Sequence, residues 1–177
     1  MKRTGLCSEC GFDWEAHGPA EVIEVLRRAP RRYEAPLTRF LPGEDPEVVL
    51  RRRPESDVWS ALEYAVHLGV TLEWYGERIE RVLTEERPAM TAYGFGPAAD
   101  RDRYNEWPIG EAGERIAVAA GALADRLVGL APVGWERVGI GSDGDERTVL
   151  ILGRRAAHEV GHHLLDVGRV LRRVRGR

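Results

Sequence analysis

A chain of 177 residues with 43% hydrophobic content has room for one domain with a proper core, and a second independent domain is not expected. Its 26 basic and 29 acidic residues are interspersed and sum to a formal charge of -3, which argues against a nucleic-acid or membrane-surface partner. No apolar stretch approaches the ~20 residues of a membrane span, and Met1-Lys2-Arg3-Thr4 is not followed by an apolar signal core, so a cytoplasmic protein is expected.

Residues 1–18 are dotted with glycine and aperiodic, and read as an arm packed on a domain that occupies 19–177. From Ala20 to about Leu41 the residues Val22, Val25, Leu26, Tyr33, Leu37, Phe40 and Leu41 recur at helical spacing, interrupted by Pro30 and Pro36, which predicts one kinked helix or two short ones. After an extended stretch from Arg51 to Pro54, Ser56 or Asp57 is expected to cap a helix running to about Leu83. Residues 86–110 hold Pro88, Gly94, Gly96, Pro97, Pro108 and Gly110, a connection long enough to cross the end of a bundle. A third helix covers about 111–130. A short irregular link or small hairpin turning at Ser142-Asp143-Gly144-Asp145 follows, and the last helix runs from Thr148 to about Arg173. The expected fold is all-α, a four-helix bundle of up-down-down-up connectivity with a short N-terminal arm.

Three of the five histidines lie in the last helix, and His158 and His162, four apart, share a face with about 40° between them, a spacing suited to two ligands of one metal. The main apolar stripe of that helix, Val149, Leu152, Ala156, Val160, Leu164, Val167 and Leu171, points the other way, and His163 sits at its edge. His67 likewise points away from the stripe of the second helix, beside Trp74. Trp74, Ile151 and Leu165 are poor solvent residues, so each helix is expected to own a second face lining a cleft. If the clefts coincide, three imidazoles meet. The letters His158-Glu159-Val160-Gly161-His162 also satisfy the H-E-x-x-H pattern of zinc metalloproteases, with Glu159 as general base. The third ligand expected downstream is missing, and so is a preceding sheet edge to align substrate.

A second pattern covers more of the chain. Trp59-Ser60-Ala61-Leu62-Glu63-Tyr64-Ala65-Val66-His67-Leu68 after Arg53-Pro54, then Trp135-Glu136-Arg137, Asp143-Gly144, Thr148-Val149 and His158 through Val167, resemble the second helix, the approach to the fourth and the fourth helix of the DinB-like family. The resemblance spans roughly residues 20–175. It implies a four-helix bundle with metal ligands at His67, His158 and His162, and with His163 near the site but not a ligand. Zinc is the default occupant; nickel or iron fits the same ligands. Related bundles use a low-molecular-weight thiol such as mycothiol or bacillithiol, so the resemblance implies a metal-dependent transferase or isomerase that joins such a thiol to a small electrophile. A non-catalytic metal-binding bundle, a sensor or interaction module, is the other class.

Glu63, four before His67, and Asp166, four after His162, are candidates to orient the ligand imidazoles, and Glu159 and Asp166 are the candidate catalytic carboxylates. Arg78, Arg155 and Arg169 share the histidine faces and could receive anionic groups, though ordinary surface arginines are the simpler reading. Two copies could pair through the face around Trp74 and Trp107. Cys7-Ser8-Glu9-Cys10-Gly11 looks like half of a zinc ribbon, with His17 and Asp13 as strained candidates to complete it. Plain packing or a reactive dithiol are the alternatives, since two cysteines make no disulfide framework in a reducing compartment.

Overall fold

The computed structural model describes residues 5–92, 94 and 98–177. The N-terminal Met1–Thr4, and Gly96 and Pro97 of the long connection, lie outside the described residues. Four long helices, α1 (Pro19–Thr38), α3 (Ala61–Thr84), α5 (Ile109–Leu127) and α7 (Val149–Val174), form the bundle. Between them lie the short helices α2 (Pro46–Arg51), α4 (Ala98–Arg101) and α6 (Pro132–Trp135), and the antiparallel hairpin of β1 (Val138–Ile140) and β2 (Glu146–Thr148). No helix among the described residues is long and apolar enough to cross a membrane.

Side-chain pairings give the helix directions. Arg115 reaches Glu73 and Arg126 reaches Glu80, so α5 runs parallel to α3. The Arg27–Asp125 pair and the approach of Leu37 to Gly113 make α1 antiparallel to α5. Tyr33 donates to the Val160 carbonyl, and Val22 packs at Gly153, so α1 and α7 are parallel. The result is up-down-down-up, and the parallel α3–α5 pair requires the long crossover. That crossover is tied down where Met90 N–H donates to Ile140 O and Ile140 N–H donates to Pro88 O, adding a parallel rung beside β1.

Two expected boundaries move. The first helix is continuous through Pro30 and Pro36: burial of Val22, Leu26, Ala29, Tyr33 and Leu37 along one face offsets the lost backbone bonds. The cap of the second long helix is Ser60, not Ser56 or Asp57. Ser60 Oγ accepts from Glu63 N–H at 3.1 Å, and Glu63 Oε2 accepts from Ser60 N–H at 2.7 Å. These reciprocal bonds satisfy two donors that a helix start otherwise leaves open. Arg53 grips the same buried Glu63 carboxylate with its Nε at 2.8 Å, which keeps the chain extended before the cap.

Glu63 therefore closes a cap and neutralises an arginine at once. Glu63→Ala is expected to lower the unfolding free energy by about 2–3 kcal/mol, with a smaller loss for Glu63→Gln, measured by urea denaturation.

Candidate metal centre

An α-helix turns about 100° per residue, so adjacent residues of α7 serve different neighbours. Gly153, Ala156, Val160 and Val167 are buried, and α1 packs on this side: a Cβ on Gly153 would lie 3.1 Å from Val22 Cγ1, and the Val160 carbonyl accepts from Tyr33 at 3.0 Å. Glu159 and His163 lie roughly 80° round from Val160, facing α3. His158 and His162 lie roughly 160° round, on the side away from α1, where the N-terminal arm covers them.

Towards α3, the donor atoms of His67, Glu159 and His163 lie within 4.8 Å of one another. The His67 and His163 rings meet edge to face with centroids 4.8 Å apart, and His67 Nε2 stands 3.3 Å from Thr71 Oγ1. His163 lies between two carboxylates, with Nδ1 3.1 Å from Asp166 Oδ2 and Nε2 3.0 Å from Glu159 Oε2. Burial opposes charge on His163, yet Asp166 and then Glu159 raise its pKa to about 9. Burial also opposes ionisation of Glu159, but the imidazoles of His158 and His163 hold it well below the usual carboxylate range. His67, by contrast, is pushed down to about 4 by burial and then by the His163 charge. The pocket therefore favours a charged His163 held between Glu159 and Asp166, with His67 neutral beside it.

Towards the arm, Cys7, Cys10, His158 and His162 form a separate donor group, again within 4.8 Å. The arm turns back on itself at Gly11, whose φ of +71 suits glycine, and the Leu6–Asp13 bridge closes the turn. The amides of Cys10 and Glu9 and the side chain of His158 draw the Cys7 thiol down to about 6. Phe12 and Trp14 close over the His158 ring, Trp14 stacking on it at 4.8 Å. His17 and Asp13 point elsewhere. His17 stacks on Phe12 at 4.0 Å and donates from Nδ1 to Asp13 O, while Asp13 Oδ1 accepts from Glu15 and Ala16 N–H.

A cavity of about 290 Å³ lies farther along α3 and α7, lined by Trp74, Arg78, Thr91, Arg147, Leu152 and Arg155 among others. Arg155 is one turn from Glu159 along α7, and Trp74 is two turns from His67 along α3, axial steps of roughly 6 and 10 Å. Arg78 stacks on Trp74 at 3.4 Å and donates to Thr91 O, and Arg147 pairs with Asp143. No carboxylate pairs with Arg155 among the described residues.

The model of the DinB superfamily matches residues 25–167, most of the chain and all four long helices in whole or in part. This chain belongs to the DinB superfamily. Among solved structures it is similar to YfiT from Bacillus subtilis, described as a probable metal-dependent hydrolase with an unusual four-helix bundle topology, at 18% identity and a TM-score of 0.74, covering 98% of this chain and 93% of that one. At that identity the likeness speaks for the fold. No curated protein matches the chain.

Within this DinB bundle the three histidines expected to meet do not form one donor group. His67 joins Glu159 and His163, while His158 and His162 join the cysteines. The four-residue spacing of His158 and His162 recurs one residue later as Glu159 and His163, and only packing against α3 tells the two pairs apart. Asp166 sits against His163, its Oδ2 being 3.9 Å from His162. Glu63 serves Ser60 and Arg53 rather than His67. Arg169 pairs with Glu9 of the arm, and Arg78 is buried rather than a surface residue.

Asp166 holds Nδ1 of His163, which leaves Nε2 turned toward Glu159. Asp166→Asn is expected to weaken metal binding about 10–100-fold with no change in helix content, read by chelator competition and circular dichroism.

Proposed function

We propose that His67, Glu159 and His163 hold a divalent metal ion and that the protein is a metal-dependent transferase joining a low-molecular-weight thiol to a small anionic electrophile. What carries the reading is the meeting of two imidazoles and a carboxylate between α3 and α7, with an arginine-bearing cavity lined farther along the same two helices. Three protein ligands leave a position for an exogenous group, as in catalytic rather than structural centres. When bound, the metal supplies a Lewis acid that lets a thiol or water ionise near neutral pH. Zinc suits two imidazoles with a carboxylate, and nickel or iron fits the same donors.

The chain's own groups do the rest. Asp166 orients His163, and Thr71 stands against His67 and restrains its ring. Trp59 packs edge-on against His67 at 5.0 Å and, with Tyr64 near His163, keeps bulk water from the donors. Arg155, which lines the cavity together with Arg78, receives the anionic group of a substrate lying there. The similarity in fold to a structure described as a probable metal-dependent hydrolase supports a second reading, in which water replaces the thiol as nucleophile.

The test combines metal content with turnover. His67→Ala and His163→Ala are each expected to lose the metal of this centre and all activity. Metal-loaded protein is expected to consume a thiol together with an electrophilic carboxylate in a panel assay. Thiol-independent hydrolysis of esters or amides would favour water, and no turnover with full metal loading would sink both enzyme readings. Arg155→Ala is expected to raise KM about tenfold with kcat little changed, which is the signature of lost ground-state binding.

A further inference from the structure

We infer that Cys7, Cys10, His158 and His162 form a second metal site, a closed four-ligand zinc centre that fastens the N-terminal arm to α7. The ligand count and types are those of a structural zinc site: two thiolates and two imidazoles, with two negative charges to match the ion. Cys7 Sγ lies 3.8 Å from His162 Nδ1. A tetrahedral centre with ordinary bond lengths puts sulfur and nitrogen ligands about 3.6 Å apart, so little adjustment is needed. The two ligand pairs come from different places, a C-x-x-C turn of the arm and one turn of α7.

His158 provides independent support. Its ring is 4% exposed, and neither nitrogen makes a hydrogen bond; Glu159 Oε1 stands 3.5 Å from Nδ1 without forming one. An imidazole so placed carries a desolvation cost that a ligand would remove. Gly11 supports the turn from the other side: its N–H donates to Cys7 O at 2.9 Å, and Cys7 N–H donates to Phe12 O at 2.9 Å. The turn therefore presents both sulfurs to α7 while its backbone groups are satisfied internally. A nearby set, Glu9, His162 and Asp166, competes for His162, but Glu9 is exposed and already pairs with Arg169 at 3.0 Å.

Such a centre differs in kind from the open one beside it. With four protein ligands it leaves no position for substrate, so its role is to hold the arm over a face of α7 that would otherwise meet solvent. It also fixes the rotation of α7, and with it the direction of Glu159 and His163.

The experiment uses the full chain purified under reducing conditions. Zinc is counted by plasma mass spectrometry in the wild type, in a Cys7→Ser/Cys10→Ser double variant, in Glu9→Gln and in His67→Ala, and cobalt is then substituted for zinc. The double variant is expected to carry one equivalent less than the wild type, and Glu9→Gln the same as the wild type. The cobalt form of the wild type is expected to show the near-ultraviolet charge-transfer band of thiolate ligands, retained in His67→Ala and lost in the double variant. The wild-type and His67→Ala spectra decide the matter even if the double variant fails to fold. A wild type without that band, with both thiols open to a thiol reagent or joined as a Cys7–Cys10 disulfide, would overturn the proposal. Because His67→Ala empties only the open centre, the two metal assignments fail separately.

Discussion

The rotational setting of α7 governs both donor groups. Two pairs of potential ligands, His158 with His162 and Glu159 with His163, are offset by one residue and so by about 100°. A rotation of the helix by that angle would exchange the neighbours they meet. The setting is held from the α1 side, where Tyr33 donates to the Val160 carbonyl and Val22 lies against Gly153. Glycine favours that close approach, since a methyl group there would sit 3.1 Å from Val22 Cγ1, a tight contact that Val22 would have to yield to. The chemistry of the pocket is thus positioned by contacts on another side of the helix.

The electrostatics of the pocket follow from that setting. Glu159 is placed between two imidazoles and Asp166 behind one of them, in surroundings from which most water is excluded. A buried carboxylate without a counter-charge would be costly, and here the compensation comes from histidines, which can exchange a proton for a metal. This arrangement is poorly explained as packing: an apolar pair would fill the same volume without requiring charge balance. It holds a positive charge, which His163 supplies with its own proton.

Periodicity and local signals made the architecture legible. The helical spacings, the turn at Ser142–Asp145 and the length of the 86–110 connection led to an up-down-down-up bundle, and the Thr148 start of the last helix agrees with its cap. The cap at Ser60 was legible in principle, since Ser60 and Glu63 stand three apart as a capping box requires, but Ser56 and Asp57 competed for the same reading. The site was less legible. His67 and the segment 158–166 do lie among the clustered donors, yet sequence spacing cannot say which of two interleaved pairs faces α3. Glu159, read as a base, lies among the possible ligands, and His163, set aside as a neighbour, lies with it. The partners of Cys7 and Cys10 were out of reach for a different reason. They lie some 150 residues away in the chain, a separation over which local patterns carry no information.

The ligand types themselves would keep two such centres distinct. Thiolates are soft donors that hold zinc tightly, while a carboxylate with two imidazoles is harder and more tolerant of zinc, nickel or iron. Were both centres loaded, metal exchange at the α3-facing one would leave the arm in place. The separation also works in space: the donors alternate along α7 in the order His158, Glu159, His162, His163, so neither pair can swing to the other side without unwinding the helix. One turn of one helix can thus anchor an extension with one pair of side chains and offer an open coordination position with the next, because the helix backbone, and not a flexible loop, keeps the two faces apart.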